Sequence, residues 1–137
     1  MTRFEHEIAE HFAERYRVSP AEVSRQIELA VIGGDWGANG YTTMAQANLL
    51  ARELGLWPGT RLLDLGAGRG WPGLYLAAAT GCQVVLADVP VEGLGAAAAR
   101  AQRESLAARA APVAASAHAL PFAPASFDAI VHTDVLC

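Results

Sequence analysis

No lysine occurs anywhere in the 137 residues, so all ten basic side chains are arginine, set against fourteen acidic ones for a formal net charge of −4. That balance gives no general attraction for nucleic acid or anionic lipid, which disfavours a nucleic-acid partner. Cysteine is scarce as well. Cys82 and Cys137 are too few for a disulfide framework and too far apart for a metal-ligand spacing, which points to a reducing, cytoplasmic compartment and no metal. Charged residues make up 18% and the apolar set 53%, so disorder is excluded by the ample surface available for burial. Met1 to Arg17 is charged throughout and holds no signal-peptide core. The one long uncharged run, Gly70 to Ala87, is broken by Pro72, Gly73, Gly81 and Gln83, so it reads as helix, turn and strand and not as a membrane span.

What is present divides into two textures. Phe4, Ile8, Phe12 and Tyr16 make one stripe of a first helix whose other faces carry Glu5, Glu10, Glu14 and Arg15. Ser19-Pro20-Ala21-Glu22 has the order of a capping box and opens a second helix with the stripe Val23, Ile27, Val31, stopped at Gly33-Gly34. Asp35 to Tyr41 is an irregular loop. Thr43-Met44-Ala45-Gln46 repeats the capping logic for a third helix with Ala47, Leu50 and Leu54 inward, closed by Gly55. Pro58-Gly59 suits a type II turn. From Arg61 the pattern becomes strand (61–65), helix (71–80), strand (84–87), alanine-rich helix (about 91–110), strand (113–115), loop and strand (127–132). Apolar strands that alternate with helices belong to a parallel sheet, so the fold class is α/β. The expected organisation is a helical region over 1–42 and an α/β domain over 43–137.

Leu62-Leu63-Asp64-Leu65-Gly66-Ala67-Gly68-Arg69-Gly70-Trp71-Pro72-Gly73 carries the chemistry. Glycines at alternate positions after a strand let the backbone turn sharply and approach a ligand where a Cβ would collide, and the following helix aims free N–H groups at the same place. A dinucleotide fingerprint counted from Gly66 would put its third glycine at Trp71. Asp88 closes the second strand, followed by Val89. There it could accept both hydroxyls of a ribose or merely cap the next helix. The pattern Asp64-x-Gly66-x-Gly68-x-Gly70 resembles the first motif of the class I S-adenosylmethionine-dependent methyltransferases. Ala119-Leu120-Pro121-Phe122, followed by Phe127-Asp128 and apolar residues, resembles their segment from the adenine contact into the fourth strand.

The resemblance implies a Rossmann-like three-layer α/β/α parallel sheet, with strands 3-2-1-4 present and later strands missing, so that the domain is C-terminally incomplete. It implies S-adenosylmethionine as cofactor. Asp64 would organise the methionine end, Gly66, Ala67, Gly68 and Gly70 would form the cradle, Asp88 would meet the ribose, Val89 beside it would also contact the cofactor, and Ala117 and His118 would frame the adenine. The family's acid four residues before the leucine stands here as Ser116. Methyl transfer would be an in-line displacement onto an acceptor that is by default a small molecule. A nucleoside-binding module without catalysis and a nicotinamide-binding domain are the alternatives. His132, Thr133 and Asp134 follow the last strand, where open parallel sheets place ligand-facing loops, so His132 and Asp134 are the candidates for catalysis; as strand-end or capping residues they would have no such role. The 37–41 loop either covers the methionine end or is a surface connector. An unpaired edge on the last strand would be completed by another copy or by a partner chain.

Overall fold

The computed structural model describes residues 1–135; Cys137 lies outside the described residues, and Cys82 is a buried free thiol. The helices are α1 (Arg3–Arg17), α2 (Glu22–Val31), α3 (Met44–Glu53), α4 (Gly73–Thr80) and α5 (Val91–Arg103). The strands are β1 (Arg61–Leu65), β2 (Gln83–Asp88), β3 (Ala110–Ala114) and β4 (Ala129–Val131). All strand pairs are parallel and the order is β3-β2-β1-β4, as the resemblance implies. The order reverses between β1 and β4, and such a switch point leaves a crevice outside the carboxyl ends of the strands.

Register explains which side chains form the core. Leu62 lies opposite Val84, and Asp64 opposite Leu86 and Val131, so Leu62, Val84, Leu86 and Asp64 share one face. Right-handed crossovers bring α4 and α5 onto that face, where Leu74, Leu76, Ala77, Leu94, Ala97 and Ala101 bury against it. On the other face Leu63 and Ala87 are buried, while Ala111 and Ile130 are exposed.

The N-terminal helices depart from the sequence reading in instructive ways. Helix α1 opens with a capping box: the Glu5 N–H donates to the Thr2 hydroxyl, and the Thr2 N–H donates to the Glu5 carboxylate. Helix α2 starts later than the Ser19 signal suggests, because the chain stays extended through Ala21, and Ala21, which lacks a capping side chain, takes the N-cap place. Its stripe Val23, Ile27 and Val31 is exposed, and Glu28 with the following Ile32 is buried instead. The expected capping box of α3 is present, with Thr43 and Gln46 exchanging bonds of 3.2 and 2.8 Å. The turn at Pro58-Gly59 closes by a Thr60 N–H to Trp57 C=O bond of 2.9 Å, but Gly59 is not in the left-handed region, so this is not a type II turn. A side chain at Gly59 would strike the Trp57 ring.

Two boundaries in the α/β part are set by hydrogen bonding that composition conceals. Alanine favours continuing α5 to residue 110, yet the helix ends at Arg103 in a Schellman motif. Ser105 adopts φ 58°, its N–H reaches Gln102 C=O at 3.2 Å, the Leu106 N–H reaches Ala101 C=O at 2.7 Å, and Leu106 folds back into the core. β3 consequently starts earlier than the apolar run suggests, at Ala110. β4 is shorter than expected. Ahead of it, Asp128 still bridges to β1 with both its backbone N–H and its carboxylate on Arg61.

Because Ser105 carries a Cβ in the left-handed region, Ser105→Gly should stabilise the protein by about 0.5–1 kcal/mol. Chemical denaturation checks this; an unchanged or lower midpoint would contradict the motif.

Candidate functional site

The three alternating glycines of the loop after β1 are all left-handed, with φ 75° at Gly66, 51° at Gly68 and 97° at Gly70. The loop is fastened to β2 by Gly66 and Ala67 N–H groups on the Ala87 C=O, at 2.8 and 3.1 Å. Their side-chain space is used differently. A Cβ on Gly70 would strike Leu74 in the core, whereas one on Gly68 would come within 2.7 Å of the Tyr16 hydroxyl and one on Gly66 within 2.6 Å of Val135. Gly66 and Gly68 therefore face the crevice, and Gly70 sets the packing of α4.

Asp88, at the tip of β2, completes the cradle. One carboxylate oxygen accepts the Gly68 N–H at 2.7 Å and the other accepts the Val89 N–H at 2.7 Å. Burial pushes its pKa up, and the two N–H donors oppose the rise. Asp88 does not cap α5, whose N-cap is Pro90 with no side-chain cap bond; the carboxylate instead ties the glycine loop to the strand tip, and its four lone-pair sites leave capacity for two hydroxyls.

Asp64 is placed differently from its neighbours in the motif. It is 1% exposed, lies under the crevice without lining it, and accepts the Gly73 N–H at 2.8 Å. It fixes the first turn of α4, so its influence on any ligand passes through the loop. A Cβ at Gly73 would lie 2.5 Å from the same carboxylate oxygen, which explains the glycine.

Above these residues lies a cavity of about 450 Å³. Its floor is Leu65, Gly66, Ala87 and Asp88, one wall is Val89 with Ser116, Ala117 and His118, and His132 and Val135 close the β4 side. The roof is α1, whose Phe4, Ile8, Phe12 and Tyr16 point in. The stripe was legible in the sequence but its target was not, because the contacts that seat α1 span the chain. Arg69 donates to the Arg15 and Val18 carbonyls at 3.0 and 2.7 Å, capping the helix end, and its guanidinium lies over the Tyr16 ring. Arg17 pairs with Glu92 at 2.6 Å, and Glu5 with His118 at 2.8 Å.

A smaller cavity of about 60 Å³ adjoins it, where Gly37, Asn39 and Gly40 meet Ala67, Gly68, Arg69, Thr133 and Asp134. The 37–41 loop therefore covers the glycine loop and is not a free connector, although Tyr41 itself is exposed. Buried Glu28 holds it by accepting the Trp36 and Ala38 N–H groups at 2.8 and 3.0 Å, and Arg100 donates to the Asp35 carbonyl at 2.8 Å. Asp134 accepts from the Thr42 hydroxyl at 2.9 Å and from its N–H at 3.2 Å. Of the two catalytic candidates, His132 lines the large cavity and Asp134 the small one, the latter already engaged as a tie between loops.

A family model described as a methyltransferase domain matches residues 62–137. Among solved structures, the [4+2]-cyclase SpnF shares 30% identity over 71% of this chain and 36% of its own, with a TM-score of 0.60. A SAM-dependent methyltransferase from Geobacter sulfurreducens, in complex with S-adenosyl-L-homocysteine, shares 25% over 64% and 35%, TM-score 0.53. One from Thiobacillus denitrificans, also in complex with S-adenosyl-L-homocysteine, shares 21% over 72% and 38%, TM-score 0.52, a likeness of fold. The chain thus spans little more than a third of the length of each. No curated protein matches the sequence.

Burial raises the Asp64 pKa from 3.8 to about 7, against the pull of the Gly73 N–H. The folded chain therefore holds this proton at pH values where the unfolded chain has released it, so stability falls as pH rises from about 4 to about 7 and then levels off. Asp64→Asn keeps an acceptor for Gly73 and cannot ionise. Thermal melts should show the Tm decline from pH 5 to pH 8 reduced by about 5 °C in the variant; equal declines would contradict the buried carboxyl.

Proposed function

Since the chain belongs to the methyltransferase-domain family, we propose that it binds S-adenosylmethionine in the crevice beneath α1 and serves methyl transfer to a small-molecule acceptor. The observation that carries this reading is the Gly68–Asp88 tie: a cradle cleared of side chains, fastened to a carboxylate at the neighbouring strand tip, under a cavity within the usual 300–1,000 Å³ of a small-ligand site. The residues present fit the cofactor. Gly66 and Gly68 leave the space that a Cβ would fill, Asp88 retains lone pairs for two ribose hydroxyls, and the Ser116–His118 wall has the length and backbone groups to frame a purine. Ala67 and Gly68, next to the smaller cavity, stand where the methionine end would lie, with the 37–41 loop over it.

When bound, the cofactor supplies a methyl group already activated by its sulfonium. The chain's own task is then alignment and exclusion of water. The glycine loop and Asp88 fix the nucleoside, α1 covers it with Phe4, Ile8 and Phe12, and Arg69 keeps that cover seated. His132 lies at the end of β4 on the cavity wall, which supports it as the group that would take a proton from an oxygen or nitrogen acceptor.

A second reading, a binding role for the crevice without methyl transfer, is kept because the solved structure at 30% identity is named as a cyclase and not as a methyltransferase. The outer edge of β4, which among the described residues pairs only with β1, is proposed to pair with a strand of another copy or of a partner chain; light scattering that finds only monomer would remove that proposal. The two-cysteine composition and the free, buried Cys82 support a reducing, cytoplasmic location.

Calorimetric titration with S-adenosylhomocysteine and with NAD separates these ideas. The first should bind, and Asp88→Ala should weaken it by about 10- to 100-fold, the worth of charged hydrogen bonds to hydroxyls. Tight binding of NAD alone would reject the reading. Binding without turnover across an acceptor panel would favour the second one.

A further inference from the structure

The wall assigned to the purine lacks the acid that the sequence motif leads one to seek there, because its place is held by Ser116. Ser116 is engaged locally, its hydroxyl accepting the His118 N–H at 3.2 Å. A carboxylate nevertheless reaches this part of the cavity from the far end of the chain. Glu5 stands on the cavity wall with Phe4 and Ile8, and one of its oxygens lies 2.8 Å from Nε2 of His118. Helix capping accounts for the other oxygen, which accepts the Thr2 N–H, and does not account for the bond to His118. The capping bonds from Thr2 hold the Glu5 pKa below its ordinary value.

We propose that Glu5, oriented by His118, reads the exocyclic amino group of the bound adenine and stands in for the acid absent at Ser116. This rests on the crevice being an adenosyl site. A carboxylate can only accept hydrogen bonds, so it favours a 6-amino purine, which donates, over a 6-oxo purine, which presents another acceptor at the same place. Capping geometry gives Oε2 to Thr2 and directs Oε1 to His118, which leaves further lone pairs of the carboxylate for the base. The same contact would couple the seating of α1 to occupancy of the purine pocket.

The test compares S-adenosylhomocysteine with its deaminated analogue S-inosylhomocysteine by calorimetry, with no turnover required. The native chain should prefer the amino compound by about tenfold or more, the scale set by an unpaired buried polar group. Glu5→Gln retains a capping-box side chain and offers an amide that can donate to a 6-oxo group, so the preference should shrink to about threefold or less. His118→Asn, which leaves the α1 cap untouched, should also reduce the preference by releasing Glu5, and it serves if Glu5→Gln loses helix content by circular dichroism. Glu10→Gln, on the exposed side of α1, should leave the preference as it is. Undiminished preference in folded Glu5→Gln and His118→Asn, with S-adenosylhomocysteine still bound, would overturn the role of Glu5 and leave the crevice reading intact. Failure of the native chain to bind either compound would overturn both.

Discussion

The hydrogen bond from the Gly68 N–H to the Asp88 carboxylate is the contact on which the rest of the site depends. Together with the Gly66 and Ala67 N–H bonds to the Ala87 carbonyl it fastens the glycine loop to the tip of β2, and it does so at the only kind of residue that tolerates the required φ without strain. With that bond in place the glycine loop becomes a floor, and the N-terminal helix has something to cover. Arg69, one residue further along, turns the same loop into the anchor of α1 by capping its last carbonyls. A short stretch of backbone thus sets the shape of the cavity from below and positions its roof from above.

The placement of acids follows from this arrangement. Asp64, sealed from solvent, is kept near neutrality by burial and works on the first turn of α4. Asp88 is half-buried and divides its lone pairs between protein backbone and cavity. Glu28, buried in α2, spends its carboxylate on the 35–38 loop and so shapes the smaller cavity without lining it. Glu5 faces the 116–118 wall of the cavity from the roof. Four carboxylates of similar intrinsic chemistry are separated into distinct tasks by depth and by the donors each one meets.

How much of this was legible in the sequence depended on how local the cause was. The left-handed glycines of the loop, the position of Asp88 at the end of β2 and the capping box at Thr43 could be read because each rests on residues within one turn or one βα unit, whereas the strand order, which pairs β1 with the distant β4, came from the family resemblance. The end of α5 could not, since Ser105 in the left-handed region and the return of Leu106 to the core override alanine's helix preference by tertiary packing. The stripe of α2 misled because apolar periodicity signals a face without stating that the face is covered; Val23 and Ile27 are exposed, while Glu28 is buried by the loop that it holds. Helix α1 as a roof, and Glu5 on its inner side, depended on contacts with Arg69, Glu92 and His118 that no spacing rule reveals.

The central claim is that the floor, the strand tip and the roof close on one adenosyl ligand. Backbone amide chemical-shift mapping of the isotopically labelled chain during addition of S-adenosylhomocysteine tests it directly. The account predicts the largest shifts at 66–68, at 88–89, along 116–118 and on the inner face of α1. Shifts confined to the opposite end of the sheet around Arg61 and Arg109, or no shifts at saturating ligand, would contradict it.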